Sequence, residues 1–129
     1  MNKILVEISA GELLDKLTIL EIKQEKIKDP EKLKFINDEY SALKDQLNKS
    51  VKSDPKLDEL FNSLKKINEK LWVIENDKRL CEKNSDFEEK FIKLSRDIHF
   101  LNDDRAKIKL EINNHTGSKI KEIKEYTKY

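Results

Sequence analysis

Apolar residues recur at alternating spacings of three and four along two long stretches of the chain. The first stretch contains Leu57, Leu60, Leu64, Ile67, Leu71 and Ile74, and the second contains Phe87, Phe91, Leu94, Ile98, Leu101, Ile108 and Ile112. This spacing places the apolar side chains on one face of an α-helix, as in the seam of a coiled coil. Because the connection between the two stretches is short, we expect two helices that pack antiparallel.

Arg105 stands in the second series at a position where the spacing predicts an apolar residue. Aligning the two helices from a turn near Ser85 places Arg105 beside Leu64. Its side chain reaches solvent, pairs with an acid such as Glu12, or binds a ligand. Buried ion pairs seldom stabilise a fold more than apolar packing does. We therefore expect Arg105→Leu to leave a fold at least as stable and to remove a binding function.

Capping residues and prolines divide the rest of the chain. Ser9 and Glu12 have the spacing of a capping box, and Asp29-Pro30 and Asp54-Pro55 each join a capping residue to a proline suited to the first turn. These signals predict helices over about residues 10–28, 30–48 and 55–83. A second capping box at Ser85–Glu88 predicts a fourth helix that runs to about His115, before a stop at Gly117.

These elements predict an all-α protein, an antiparallel up-down bundle of about four helices with a short extended N-terminal arm. A length of 129 residues fits a single helical-bundle domain over residues 1–129. Residues 1–8 are rich in β-branched apolar side chains and form the arm, or a strand. The Lys-rich tail, residues 118–129, fits a short helix, a strand beside the arm, or partial disorder.

Charge and cysteine content exclude several classes of protein. The chain has 27 basic and 26 acidic residues and a net charge of +1. This balance argues against non-specific electrostatic binding to nucleic acid or to an anionic membrane. No apolar run approaches the ~20 residues of a membrane span. The single cysteine, Cys81, favours a reducing compartment. We expect a cytoplasmic protein.

Motifs for metal and cofactor chemistry are missing from the sequence. His99 and His115 have no partners at zinc-ligand spacing, and no Gly-rich phosphate loop occurs. We therefore predict neither a metal site nor a cofactor.

Polar residues in the first helix point to a site between the helices. That helix is apolar on several sides, so neighbours surround it and some of its polar side chains are half-buried. Aligning the helices by their shared loops brings charged residues of three helices to one level. This predicted layer contains Glu21, Lys23, Glu75, Arg79 and Arg96, with Trp72 on the same stripe as Glu75.

A second polar group lies near the start of the first helix. The backbone N–H groups that follow Ser9, including that of Gly11, form the positive end of the helix dipole. The same alignment brings Asn102, Arg105 and Lys109 close to it. A helix N-terminus beside Arg and Lys is a common binding site for phosphate or carboxylate.

Three runs of the chain, SAGELLDKLTILEIK, LWVIENDKRLCE and FIKLSRDIHFLNDDRAKIKLEIN, followed by GS and a Lys/Glu/Tyr-rich end, carry a family resemblance. Together they resemble an uncharacterised family of short proteins from bacteria and phages, a domain of unknown function often encoded near surface-polysaccharide glycosyltransferases. The positions shared with that family are Lys16, Glu21, Lys23, Trp72, Glu75, Arg79, Arg96, Asn102, Arg105 and Lys109. The resemblance implies a link to polysaccharide or nucleotide-sugar metabolism.

The leading hypothesis is a site for an anionic small molecule, namely a phosphorylated sugar, a nucleotide or a carboxylate. Arg105, Lys109 and Lys16 would hold the anion at the helix N-terminus. Arg79 and Arg96, oriented by glutamates, would form the other wall, and Trp72 would stack on the ligand. If catalysis occurs, Glu21 or Glu75 is the acid–base candidate, because a half-buried carboxylate can titrate near neutral pH.

Two alternatives stay open on the sequence alone. One is a small mutase-like helical enzyme that binds a dicarboxylate through Arg and Lys. The other is a structural or adaptor module that acts through helix–helix association or homodimerisation, since a small apolar core often accompanies a dimer interface.

Overall fold

A computed structural model describes residues 1–128 of the chain. Its four helices are α1 (Ala10–Lys26), α2 (Pro30–Ser50), α3 (Pro55–Lys83) and α4 (Glu89–Thr116). Residues 1–128 contain no strand. Because the helices pack against one another, the predicted all-α bundle is confirmed.

Local capping explains where most of these helices begin and end. The side chain of Ser9 accepts a hydrogen bond from the backbone N–H of Glu12, and Asp29 and Asp54 cap α2 and α3 in the same way. Gly117 ends α4 in the left-handed conformation, with φ of 70°. These boundaries agree with the sequence prediction to within two residues because each signal is local.

The predicted capping box at Ser85–Glu88 is wrong. Ser85 ends α3 instead: its φ is 51°, its N–H donates to the carbonyl of Glu82, and the N–H of Asp86 donates to that of Cys81. This pair of bonds is the Schellman pattern that commonly closes a helix. The fourth helix therefore begins only at Glu89, and its N-cap residue, Glu88, makes no side-chain capping hydrogen bond.

Helix α1 is the centre of the bundle and packs against each of the other three helices, while α3 and α4 form a long hairpin. The core joins Leu14 of α1 to residues of α3 and α4. Its buried members are Leu14, Leu57, Leu60, Leu64 and Ile112.

Gly11 sets the approach of α1 to α4. Its backbone N–H donates to Oδ1 of Asn113 over 2.7 Å. A Cβ atom at this position would lie 2.6 Å from the carbonyl oxygen of Lys109, which is too close for any side chain. The backbone of α1 at Gly11 therefore packs directly against α4. This contact aligns the polar residues that follow on each helix.

The two ends of the chain behave differently. Residues 1–8 are exposed, form neither helix nor strand, and make no hydrogen bond to the rest of the described chain. The tail instead returns to the bundle: Ser118 accepts a hydrogen bond from the N–H of Ala10, and Glu122 lies 3.2 Å from Nζ of Lys109. Neither the strand nor the short helix considered for residues 118–128 is formed. Among residues 1–128, no helix combines the length and the apolar character that a membrane span requires.

Candidate functional site

A buried carboxylate, Asp15 of α1, anchors a polar network between three helices. Asp15 as a whole residue is only 1% exposed to solvent. Arg105 of α4 binds it through two parallel hydrogen bonds, from Nε to Oδ1 over 3.0 Å and from Nη2 to Oδ2. Asn68 of α3 donates to the same Oδ1 over 2.8 Å and also to the hydroxyl of Thr18. The partner of Arg105 is therefore Asp15 rather than Glu12.

Asp15 stays ionised in this environment. Burial acts to raise the pKa of its carboxyl, but the hydrogen bonds from Arg105 and Asn68 and the charges of Arg105 and Lys109 outweigh burial. The net result is a pKa below the ordinary value of 3.8. The same pairing raises the pKa of Arg105. The network thus holds a charged, bidentate ion pair rather than a neutral acid.

Lys109 extends the network toward the tail. Its ammonium lies 2.8 Å from Glu12, 3.6 Å from Asp15 and 3.2 Å from Glu122. Burial acts to lower the pKa of Lys109, but these acids outweigh it and the pKa is raised. Three carboxylates surround one lysine, so its positive charge is already matched within the protein.

A cleft of about 380 Å³ opens beside this network, between α1, α3 and α4. Arg105 and Asn68 belong both to the network and to the lining of the cleft. The rest of the lining combines apolar, amide and charged side chains: Ile19, Ile22, Leu71, Trp72, Glu75, Asn76, Arg79 and Asn102. Five residues that the sequence predicted for the site therefore meet here, namely Trp72, Glu75, Arg79, Asn102 and Arg105.

Arg79 and Glu75 face this cleft without an ion pair between them. They are one helical turn apart on α3, a spacing that often gives a surface pair. Within residues 1–128, neither forms a salt bridge. Trp72 is half-buried one turn before Asn76, so its ring forms part of the wall. The cleft thus holds an arginine and a glutamate whose charges are not matched by neighbouring side chains.

The predicted layer of five charged residues does not form as one group. Glu21 accepts hydrogen bonds from Tyr40 and from Lys65, each over 3.1 Å, and so faces α2 and α3 away from the cleft. Lys23 and Arg96 do not line the cleft either. The alignment by loops set Glu21 level with Glu75, but its partner Lys65 lies well before Glu75 on α3. The alignment also did not include the rotation of each helix about its axis.

The N-terminus of α1 is occupied by the protein itself. The N–H groups of its first three residues donate to Ser118, Asn113 and Ser9. Lys16 is exposed and lies 3.9 Å from Glu12. Ser9 and Gly11 therefore serve the junction between α1 and α4. The anion site expected at this helix end has no backbone donor of that first turn left for a ligand.

Sequence reasoning missed the carboxylate at the centre of the network, Asp15, and the amide that donates to it, Asn68. Asn68 carried a usable signal: it lies four residues after Leu64 and three before Leu71, which is seam spacing. The structure buries Asn68 and leaves Ile67, which was assigned to the seam, half-buried. Asp15 forms a Glu-x-x-Asp pair with Glu12, but this spacing is typical of half of a magnesium-binding motif and did not predict a partner on α4.

The described residues were also compared with the groupings that hold metal ions. Within the described part of the chain, no three or more His, Cys, Asp or Glu side chains lie together in a group able to hold a metal ion. Asp15, the buried acid beside the cleft, pairs with Arg105 and Lys109 instead.

Comparison with known proteins adds a family and no activity. A model of a family of unknown function, DUF6165, matches residues 4–129. No match was found among curated proteins or among solved structures.

Proposed function

The chain belongs to the family of unknown function DUF6165, and we propose that its central cleft binds a small anionic ligand. The observation that carries this proposal is Arg79, which lines the cleft but makes no ion pair within the described residues. The planar guanidinium of arginine suits bidentate binding of phosphate or carboxylate. Arg79 would therefore be the main contact for the anion.

Arg105 plays a different part in this proposal. Its charge is paired with Asp15, so it attracts an anion less than Arg79 does. The bidentate pair instead fixes the position of its guanidinium beside the cleft. Binding sites gain specificity when such donors are held in place before the ligand arrives.

The remaining lining favours a sugar or a nucleoside as the neutral part of the ligand. Trp72 offers a flat apolar face, while Asn76 and Asn102 offer amide groups that both donate and accept hydrogen bonds. Aromatic rings and amides together suit a ring that carries hydroxyl groups. The volume of about 380 Å³ lies at the lower end of the range for small-molecule sites, roughly 300–1,000 Å³.

The resemblance to bacterial and phage proteins encoded near surface-polysaccharide glycosyltransferases implies the same ligand class. A phosphorylated sugar or a nucleotide sugar combines an anion with a hydroxylated ring. A carboxylate remains a candidate because arginine binds it equally well.

Glu75 is the residue through which a catalytic form of this proposal would act. It is the one carboxylate among the residues that line the cleft. A mutase-like enzyme would use it as an acid–base group next to a ligand held by Arg79. Glu21 is the weaker candidate, because its hydrogen bonds join it to Tyr40 and Lys65.

Binding can be tested with two matched arginine variants. Ligands from the three classes are first screened for a rise in melting temperature, and hits are titrated by calorimetry. Arg79→Gln should weaken binding by about 1.5–3 kcal/mol, the contribution of hydrogen bonds to charged groups. Arg96→Gln removes the same charge from an exposed residue outside the cleft and should leave binding unchanged. If no ligand raises the melting temperature, or if both variants lose affinity equally, the proposal fails.

A second candidate function, a structural or adaptor module, is favoured by the free end of the α3–α4 hairpin. The hairpin helices have 29 and 28 residues but α1 has only 17. At ~1.5 Å per residue the hairpin extends well beyond α1. Leu80, Phe87 and Ile92 near that end are each about half exposed. Paired changes Leu80→Lys and Ile92→Lys should abolish association of this kind in sedimentation experiments, without altering ligand binding in the cleft.

A further inference from the structure

The N-terminal arm, residues 3–8, is an apolar segment that the bundle does not cover. Ile4 is 80% exposed, Leu5 88% and Val6 75%. Its backbone forms neither helix nor strand and has no hydrogen bond to the rest of the described chain. Three of its residues, Ile4, Val6 and Ile8, are β-branched and favour a β-strand. An apolar segment with this preference and with unpaired backbone groups is a template for strand pairing.

The arm is complementary to a second copy of itself. When two arms run antiparallel with Leu5 opposite Leu5, Lys3 of each copy faces Glu7 of the other, and Ile4 faces Val6. Cross-strand pairs of opposite charge and of β-branched residues each stabilise a sheet. The opposed pairs between residues 3 and 7 are all either charge-matched or apolar in this register, and Ile8 lies opposite Asn2.

Other registers lose this match. A slip by one residue places Lys3 opposite Val6, and in the other direction opposite Ile8. A slip by two residues places Lys3 opposite Leu5 or opposite Ser9. Only the arrangement centred on Leu5 pairs both charges. In that arrangement Ile4 and Val6 of both copies lie on the same face, since side chains alternate between faces along a strand.

We propose that residues 3–8 form the interface of a homodimer, in which the arms of two copies pair as antiparallel strands centred on Leu5. The two-fold symmetry is the one expected of an isologous dimer. A two-stranded ribbon is small and has marginal stability in water by itself. The dimer is therefore weak and its population depends on protein concentration. The proposal is independent of the ligand proposed for the cleft.

A charge-exchange series tests the partner and the register together. Sedimentation of the full chain should show a monomer–dimer equilibrium at high concentration. Lys3→Glu and Glu7→Lys, each alone, place like charges opposite one another and should weaken the dimer about tenfold. The double variant Lys3→Glu/Glu7→Lys restores both pairs and should dimerise like the original chain. An equimolar mixture of the two single variants should form a heterodimer for the same reason.

Crosslinking provides a second, geometric readout. Leu5→Cys places two thiols opposite each other at the two-fold axis, within disulfide reach, and should form a crosslinked dimer on mild oxidation. Val6→Cys moves the thiols off the axis and should crosslink poorly, while the buried Cys81 does not react in either variant. The arm makes no contact needed for folding, so all variants should melt like the original chain.

Several results would overturn the proposal. If the chain stays monomeric at every concentration, the arm does not pair with a second copy and its partner is a different protein. If the strength of dimerisation does not change with the charges of residues 3 and 7, the interface lies elsewhere, for example at the free end of the hairpin. Equal crosslinking of Leu5→Cys and Val6→Cys would reject the register.

Discussion

Arg105 of α4 binds the carboxylate of Asp15 of α1 through two parallel hydrogen bonds, across 90 residues of sequence. The side chain of Asp15 is 2% exposed and that of Arg105 29% exposed. The pair is therefore asymmetric: the arginine has access to solvent, whereas the carboxylate depends on its protein partners. This asymmetry determines what each single substitution does.

The pairing reverses the expectation for Arg105→Leu. Leucine would remove the main partner of a buried carboxylate, and only Lys109 and Asn68 would remain close to it. Loss of one member of a buried pair costs about 3–5 kcal/mol, because the other charge is left uncompensated. We expect a loss near 3 kcal/mol in urea unfolding, since two partners remain.

Two control variants show whether the loss comes from the stranded charge. Arg96→Leu changes an exposed arginine of the same helix and should alter stability by less than about 0.5 kcal/mol. Asp15→Leu/Arg105→Leu removes both charges and should recover most of the stability that Arg105→Leu loses. If Arg105→Leu is as stable as the original chain, Asp15 is protonated or hydrated when the guanidinium of Arg105 is missing.

The ionisation of Asp15 makes stability depend on acid pH. Its pKa in the folded chain lies below the ordinary value of 3.8. A carboxyl with a depressed folded pKa contributes stability above its unfolded pKa and loses this contribution as pH falls through the folded pKa. The difference in unfolding free energy between the original chain and Asp15→Asn should be largest at neutral pH and shrink below about pH 4. A difference that is constant from neutral to acid pH would contradict this assignment.

Gly11 should be intolerant of even one added methyl group. In Gly11→Ala, the new Cβ would lie 2.6 Å from the carbonyl oxygen of Lys109 and 2.9 Å from Oδ1 of Asn113. Alanine favours a helix by ~1 kcal/mol over glycine, but separating α1 from α4 costs about 1–3 kcal/mol and weakens the Gly11–Asn113 hydrogen bond. We expect a net loss of stability by thermal melting.

Gly117→Ala provides the contrast. A Cβ at residue 117 would meet nothing within 4 Å, so the cost there comes only from the φ of 70°. Gly117→Asn should relieve most of this cost because asparagine tolerates the left-handed conformation, whereas Gly11→Asn should be worse than Gly11→Ala. Equal effects of asparagine at both positions would argue against close helix contact at Gly11.

Helix boundaries could be predicted from the sequence because the signals that set them are local. Asp29, Asp54 and Gly117 each act on backbone groups within a few residues. Ser85 failed as a predictor because serine both caps helix starts and, less commonly, takes the left-handed conformation that ends a helix. The residue type did not distinguish these two roles.

The candidate site could be predicted only in part. Periodicity marks which residues share a face of one helix, and so it brought Trp72, Glu75 and Arg79 together. It does not set the rotation of one helix against another. The close contact of α1 with α4 at Gly11 depends on tertiary packing, and it turns Asp15 toward Arg105 and Glu21 toward Lys65. Small errors in rotation therefore moved predicted residues to the wrong side of the bundle.

Trp72 provides a direct signal for occupation of the cleft. It is the one tryptophan of the chain and lines the cleft with Arg79. A sugar or nucleoside that stacks on its ring removes water from the indole, so its fluorescence should shift or be quenched as the ligand binds. The titration midpoint should match the dissociation constant from calorimetry. In Arg79→Gln the same change should occur at higher ligand concentration, because the anion contact is weaker while stacking remains.

Trp72→Phe keeps an aromatic face and should retain part of the affinity, whereas Trp72→Ala should lose more. A ligand that binds tightly by calorimetry without changing the fluorescence of Trp72 occupies a different part of the protein.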